Sequence, residues 1–194
     1  MKVTDPFLSK IQEYCKTFVL KDDQCIAAKK DVDTTSNHYE FLFEVVRRIR
    51  PDNVLELGTH WGVSALFMSK ACATTKIYTI DNNLHQMPEL GKHVFGLPNV
   101  EFIRADVTHK DVADRMPNNI SVMFVDTDRD IDLMNRQLAL YYPKLAPGGY
   151  MFWDDILSEK YYPEAVKWWN GLEGYNQMDL PYIHVGYEMG VIIK

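Results

Sequence analysis

Short apolar runs alternate with helical patterns through the middle of this 194-residue chain. Turn residues separate each run from a segment whose apolar positions recur at helical spacing. This alternation predicts a mostly parallel sheet with helices on both of its faces. The predicted strands are Val54–Leu57, Ile77–Ile80, Val100–Ile103, Val122–Val125 and Tyr150–Trp153. The predicted helices between them are Val63–Ala73, Met87–Phe95, Lys110–Met116 and Ile131–Leu145.

The N-terminal part of the chain is predicted to be helical. Apolar residues fall on one helix face over Pro6–Leu20 and again from Tyr39 to Ile49. The polar residues 21–36 between these helices are predicted to form a loop or a partial lid.

The pattern changes again after Asp155. We expect a helix at Pro163–Leu172, followed by an antiparallel hairpin of the strands Tyr182–Val185 and Gly190–Ile193. With five parallel strands before it, this hairpin completes the predicted fold class. That class is a single-domain α/β protein, a Rossmann-like three-layer sandwich around a mostly parallel seven-stranded sheet.

Composition limits the classes of partner. The formal net charge is −6, which argues against a broad nucleic-acid surface because such a surface needs a basic face. No apolar run approaches the roughly 18 residues of a membrane span, and no secretory leader is recognisable. The three cysteines have no metal-ligand spacing. We therefore expect a cytoplasmic protein with reduced thiols and no nucleic-acid or membrane partner.

A glycine-containing turn follows the first predicted strand. Gly58 and Gly62 bracket it, Glu56 precedes it, and a helix-like segment begins at Val63. Glycines let the backbone approach a ligand, and a helix N-terminus presents free N–H groups to it. An acid at this strand end favours a ligand with a cationic amine and a ribose over one with a pyrophosphate.

Acidic residues also end the next two strands. Asp81 follows the second strand, where a carboxylate can accept hydrogen bonds from both ribose hydroxyls. Asp106 follows the third strand, where an adenine edge would lie. Each acid alone is equally well explained as a helix cap. Together with Glu56 they indicate a nucleoside-binding edge.

A second set of acids ends the fourth and fifth strands. Asp126 ends the fourth, and Asp154 and Asp155 follow the fifth. Since neighbouring strands lie about 4.8 Å apart, these carboxylates are predicted to converge. Clustered carboxylates repel one another unless a cation joins them or their pKa values rise. Oxygen ligands favour Mg²⁺, with Ca²⁺ or Mn²⁺ as alternatives. A set of helix caps and surface acids without a metal is the alternative explanation.

These segments together resemble the class I S-adenosylmethionine (SAM)-dependent methyltransferases. Glu56–Ala65 (ELGTHWGVSA) is similar to motif I of the catechol and caffeoyl-CoA O-methyltransferases, and Phe124–Asp130 (FVDTDRD) resembles the metal-binding strand end of the caffeoyl-CoA type. Tyr142–Tyr150 (YPKLAPGGY), with the acids that follow it, resembles the macrocin-type sugar O-methyltransferases.

The resemblance implies a division of labour along the chain. Residues 1–50 would form N-terminal helices or a lid, 51–156 the cofactor- and metal-binding core, and 157–194 an acceptor-side helix and hairpin. Asp126, Asp154 and Asp155 would hold the metal. The residues implied in SAM binding are Ser36, Glu56, Gly58, Thr59, His60, Gly62, Ser64, Asp81, Ala105, Asp106 and Asp126.

Two residues depart from the families' pattern. His60 occupies a glycine-like position, which is acceptable because His tolerates unusual backbone angles better than most residues. Arg129 occupies the position where catechol-type enzymes place a lysine general base, and a guanidinium cannot lose its proton in a protein. Arg129 could instead pair with an acid or orient an anionic acceptor. Asp126 and Arg129 are thus the candidate catalytic residues.

The main hypothesis is methyl transfer from SAM to a hydroxyl of a small molecule, assisted by a divalent metal that lowers the pKa of the hydroxyl. A metal-independent SAM methyltransferase, with Asp128 or a histidine as base, is one alternative. A catalytically lapsed SAM-fold binding subunit is another. An NAD(P) oxidoreductase is disfavoured because the glycine turn lacks the dinucleotide-binding pattern. The resemblance also allows for a homodimer, since metal-dependent relatives are often dimers.

Overall fold

The computed structural model describes residues 1–17, 21–31, 38–83, 94, 96–181 and 189–194. A seven-stranded sheet forms its centre. Its strands are β1 (Asn53–Leu57), β2 (Lys76–Asp81), β3 (Val100–Arg104), β4 (Ile120–Val125), β5 (Leu145–Trp153), β6 (Asn176–Leu180) and β7 (Met189–Ile193). The strand order is β3-β2-β1-β4-β5-β7-β6.

The first five strands are parallel, and the last two complete the sheet in the antiparallel sense. Their register pairs Leu57 of β1 with Ile80 of β2 and with Val125 of β4. The carboxyl ends of these strands therefore meet at one edge of the sheet. The predicted fold class is confirmed: an α/β sandwich with a mostly parallel seven-stranded sheet.

Helices cover both faces of the sheet. Their bounds are α1 (Pro6–Cys15), α2 (Asp23–Asp31), α3 (His38–Ile49), α4 (Val63–Ala71), α5 (Lys110–Arg115), α6 (Ile131–Tyr141) and α7 (Pro163–Gly171). One buried apolar cluster joins α1–α4 to one face of the sheet. A second cluster joins α5–α7 to the opposite face, which gives the three layers. Among the described residues, no helix is both long enough and apolar enough to cross a bilayer.

The N-terminal region differs from its predicted structure. The first helix ends at Cys15, and the predicted loop contains the helix α2. This helix carries a weak apolar pattern, and its buried residues Cys25 and Ala28 pack into the cluster below α4. Asp22 stabilises its first turn because the carboxylate accepts a hydrogen bond from the Cys25 N–H at 3.0 Å.

The predicted helix over 131–145 is also too long. α6 ends at Tyr141, a 3₁₀ turn spans Tyr142–Lys144, and β5 already begins at Leu145. Pro143 has no N–H to continue the helical hydrogen bonds, so the chain turns into the strand instead.

The hairpin partner of β7 is β6, a strand that the sequence pattern did not predict. The strand expected at 182–185 lies outside the described residues, as does the helix expected at 87–95 except for Val94. The outer edge of β6 pairs with the N-terminal segment, where the Val3 N–H donates to the Gln177 carbonyl at 2.7 Å. The Gln177 N–H in turn donates to the Met1 carbonyl at 2.8 Å.

Candidate functional site

A cavity of about 490 Å³ opens at the carboxyl edge of β1–β4. Backbone hydrogen bonds hold the strand ends together there: the Gly58 N–H donates to the Ile80 carbonyl and the Asp126 N–H to the Leu57 carbonyl, both at 2.9 Å. Most of the described residues expected to bind a cofactor line this cavity. Those on its wall are Gly58, His60, Asp81, Ala105, Asp106 and Asp126, together with Thr127, Asp128 and Arg129.

The glycine turn depends on close backbone approach. Gly58 has φ +93°, and a Cβ built on it would overlap the Asp126 carbonyl oxygen. Gly62 has φ +73°, and a Cβ there would lie 2.7 Å from a methyl carbon of Val94. His60 adopts φ +44°, an angle that histidine was expected to tolerate. Only glycine fits at Gly58, because the atoms it approaches are backbone.

Asp81 ties the glycine turn to the end of β2. Its Oδ2 accepts hydrogen bonds from the N–H groups of Thr59 at 3.0 Å and His60 at 2.9 Å. Its Oδ1 accepts from the Asn83 N–H at 2.8 Å. Oδ1 retains a second lone pair, so Asp81 can still accept a hydrogen bond from a ligand in the cavity.

Glu56 and Ser64 lie below the cavity rather than on its wall. Glu56 is fully buried, and its carboxylate accepts hydrogen bonds from the hydroxyls of Ser64 and Thr79. Burial raises the pKa of Glu56 to about 8, although the two hydroxyls oppose this shift. The contacts predicted between this pair and the methionine end of SAM stay predictions. Ser36 lies outside the described residues.

Asp106 shapes the turn that leads into α5. Its Oδ1 accepts hydrogen bonds from the Thr108 N–H at 2.8 Å and the Thr108 hydroxyl at 2.7 Å. These hydrogen bonds hold the pKa of Asp106 below its usual value. Asp106 is therefore not the helix cap, since His109 occupies that position, and Asp106 lines the cavity beside Ala105.

The three acids that end β4 and β5 converge, and we call Asp126, Asp154 and Asp155 the acidic cluster. They converge on the guanidinium of Arg129. Its Nη2 lies 2.6 Å from Asp155 Oδ2, 3.1 Å from Asp126 Oδ1 and 3.8 Å from Asp154 Oδ2.

Arg129 is held from several sides. Its Nη1 donates to the Thr127 carbonyl, and its guanidinium lies 5.3 Å from the centre of the Tyr162 ring. The side-chain amide N–H of the buried Gln137 donates a hydrogen bond to the Thr127 hydroxyl at 2.9 Å. Only 15% of the Arg129 side chain is exposed. Burial alone would lower the pKa of Arg129, but the carboxylates, Asp126 and Asp155 foremost, raise it, so the side chain stays charged.

The other side of the cluster is poorly solvated. Asp154 is 8% exposed, and its Oδ1 has no hydrogen-bond partner among the described residues. Burial, reinforced by the neighbouring carboxylates, raises the pKa of Asp154 well above its usual value. Burial likewise raises the pKa of Asp155 to about 6, against the opposing effect of Arg129. Asp155 adopts φ +56°, an unusual backbone angle for this residue.

The arrangement does not fit the predicted metal. Within the described part of the chain, no group of three or more His, Cys, Asp or Glu side chains is arranged to hold a metal ion. The cluster carboxylates instead direct oxygens towards a guanidinium that already lies between them.

Two residues of this site were missed by the sequence analysis. Gln137 is a polar residue on the otherwise apolar buried face of α6, and that mismatch was a readable signal. Tyr162 precedes α7 in a segment without a recognisable motif.

The tryptophans near this site are packing residues. Trp153 is buried, with its ring centre 5.1 Å from that of Trp168, and Trp169 is a core residue.

Comparisons with known proteins identify a family and a shared fold. The model of a family described as "Methyltransferase domain" matches residues 55–156, more than half of the chain. No curated protein matches the chain's sequence.

Several solved structures share the fold. The SAH-bound methyltransferase PaMTH1 from Podospora anserina has a TM-score of 0.75 at 15% identity, with 100% of this chain and 98% of that chain covered. The O-methyltransferase from Bacillus cereus in complex with SAH has 0.68 at 12%, covering 96% and 97%. TomG from Streptomyces achromogenes, an O-methyltransferase of tomaymycin synthesis in complex with SAM, has 0.67 at 16%, covering 96% of each. Identities this low establish the fold alone.

Proposed function

Because the chain belongs to the methyltransferase-domain family, we propose that it transfers the methyl group of SAM to a hydroxyl of a small molecule. One observation carries the proposal. A single cavity joins the glycine turn and the acids of β2 and β3 to Asp126 and Arg129, so a cofactor-binding half and a reactive half share one wall. The SAM- and SAH-bound O-methyltransferases of the same fold support it.

The cofactor half has the groups that SAM needs. Gly58 leaves room for the ligand to approach the backbone, Asp81 can accept hydrogen bonds from ribose hydroxyls, and Ala105 with Asp106 can border the adenine. SAM supplies an electrophilic methyl group on a sulfonium. The protein's remaining task is to bind and orient the acceptor oxygen for in-line attack.

The reactive half can orient the acceptor and accept its proton. As the O–CH₃ bond forms and the S–CH₃ bond breaks, the hydroxyl proton must leave. Asp126 and Asp128 both line the cavity and are the carboxylates best placed to accept it. Arg129 can donate hydrogen bonds to the acceptor oxygen. Tyr162 lies against Arg129, which supports an acceptor site formed by the segment after Asp155.

Metal assistance, expected from the sequence, is the less supported part of the hypothesis. The acidic cluster has the right donor atoms for Mg²⁺, but Arg129 lies among them. This observation favours the metal-independent alternative, and no step of the proposed reaction requires a metal.

Titration of SAM into the purified protein by calorimetry tests the cofactor, with and without Mg²⁺. We expect saturable one-site binding in both conditions. Asp81→Asn should weaken it by roughly 10- to 100-fold, since a charged hydrogen-bond acceptor contributes about 1.5–3 kcal/mol. Asp114→Asn, at an exposed acid of α5 paired with Lys110, is the matched control. Folded protein that fails to bind SAM would contradict the proposal.

Acceptor screening follows, with SAH formation as the readout. Phenols, catechols and sugars present different hydroxyls to the same cavity. Methylation of any of them supports the enzyme. SAM binding without turnover across all these classes would favour the catalytically lapsed binding subunit.

A further inference from the structure

We propose that Arg129 is the built-in cation of this site: its guanidinium takes the place that a divalent metal would occupy in the acidic cluster, and the protein binds no metal there. The effect on catalysis rests on the proposed function. The consequence for metal binding does not, and it can be tested on the protein alone.

The geometry makes the two cations mutually exclusive. Mg²⁺ needs carboxylate oxygens at about 2.0–2.1 Å in near-octahedral order. Arg129 Nη2 lies at 2.6 Å from Asp155 and 3.1 Å from Asp126, so it already occupies the space where these carboxylates converge. A metal could bind the same oxygens only after the guanidinium had left.

Displacing the guanidinium from the acidic cluster would cost free energy. Its side chain is largely enclosed, its Nη1 donates to the Thr127 carbonyl, and the Tyr162 ring faces it. Thr127 is itself held by Gln137 on α6. Displacement would break the charged hydrogen bonds to the cluster and require a new position for a buried cation.

Charge balance indicates what the arginine does. Three carboxylates within 4 Å of one guanidinium nitrogen would repel one another without it. Arg129 therefore serves the cluster as the metal serves an oxygen-ligand site: it brings the carboxylates together. Unlike a metal, an arginine is fixed by the sequence and cannot be removed by a chelator.

Mn²⁺ binding to the purified protein tests this role, measured by the loss of the free-ion electron paramagnetic resonance signal. Wild-type protein should show no saturable site below millimolar Mn²⁺. Arg129→Ala should gain one Mn²⁺ site with a dissociation constant at least ten-fold below that millimolar limit. The substitution removes the guanidinium from the cation position but keeps the three acids. Arg129→Ala combined with Asp155→Asn should lose that gain.

Arg115→Ala is the matched control, since it removes an exposed arginine of α5 outside the cluster. If Arg129→Ala does not fold, Arg129→Met replaces it, because methionine is neutral and fills more of the volume. Two results would overturn the proposal. One is a wild-type Mn²⁺ site that Asp155→Asn abolishes, and the other is a folded Arg129 variant that binds Mn²⁺ no better than Arg115→Ala.

The outcomes separate this inference from the proposed function. Absence of SAM binding would end the proposed methyl transfer but leave the Mn²⁺ titrations decisive for Arg129. Conversely, a wild-type metal site that Asp155→Asn abolishes, together with SAM binding, would refute the role of Arg129. The metal-assisted reaction would then be the favoured mechanism.

Discussion

The two halves of this sheet edge stabilise their acids by different means. In the cofactor half, Asp81 and Asp106 accept hydrogen bonds from backbone N–H groups of the adjoining turns. In the reactive half, Asp126 and Asp155 share one side-chain cation, Arg129. Backbone donors are present whatever the side chains are, whereas a guanidinium can be lost by one substitution. The same sequence pattern, an acid after a strand, thus gives two outcomes. The acids of the cofactor half keep their donors when neighbouring side chains change, whereas those of the reactive half depend on Arg129.

The largest effect should come from a steric overlap at Gly58, where the two halves contact each other. Gly58→Ala introduces a Cβ that overlaps the Asp126 backbone, so the ends of β1 and β4 must separate. We expect a loss of about 4 kcal/mol or more in the free energy of unfolding, measured by urea denaturation, together with loss of SAM binding.

Gly148→Ala sharpens that test. Gly148 also has a positive φ, +74°, but apart from its chain neighbours no atom of the described residues lies within 4 Å of the added Cβ. Only the backbone strain remains, at about 1–2 kcal/mol. Equal losses for the two variants would mean that steric overlap at Gly58 is unimportant.

Removing the single cation should affect the reactive half next most strongly. Arg129→Ala leaves the acidic cluster without its partner, and breaking a buried ion pair in this way costs about 3 kcal/mol. Chemical denaturation at neutral pH measures the loss, and Arg115→Ala should change stability by less than about 0.5 kcal/mol. An Arg129→Ala protein that is as stable as wild type without added metal would contradict the account of the cluster.

The cofactor half should contribute a pH dependence that originates in Glu56, in addition to that of Asp154 and Asp155 in the reactive half. Its pKa is about 8 in the folded protein, against 4.5 for an ordinary glutamate, so the folded state retains a proton that the unfolded state releases. The contribution to stability is therefore full below pH 4.5 and is lost as pH rises through about 8.

Glu56→Gln should flatten the fall in unfolding free energy between pH 5 and pH 8.5, measured by urea denaturation. Glu101→Gln, at an exposed glutamate paired with Lys76, should leave that fall unchanged. An undiminished slope in Glu56→Gln would show that other groups cause it.

The smallest expected effect is that of a chelator. If a guanidinium replaces the metal, the methylation rate with EDTA should stay within about two-fold of the rate without it. Acceptors with one hydroxyl should compete with vicinal diols, because chelation is not required for binding. Initial rates of SAH formation measure both. A strict requirement for vicinal hydroxyls, combined with inhibition by EDTA, would favour the metal.

Several regions were predictable because their signals are local. The parallel strands are short apolar runs with turns beside them, and the glycine turn is marked by Gly58 and Gly62 directly after one of these runs. The acids at the strand ends were placed correctly for the same reason: in a parallel sheet, position along the strand fixes the edge at which a residue emerges. The directions of their hydrogen bonds were not readable.

The sequence by itself determined the five parallel strands and the edge at which their acids meet, since hydrophobic periodicity is a local property and parallel strands present their carboxyl ends at one edge of the sheet. Only the tertiary structure decided what those acids meet. Arg129 contacts an acid 26 positions away, and β6 is paired with residues at the opposite end of the chain. Neither contact leaves a periodic trace in the sequence. Long-range pairing is stabilised by burial and charge balance that arise only after the strands have assembled. The sequence could therefore suggest that Arg129 pairs with an acid, but only the folded chain shows which acids it joins.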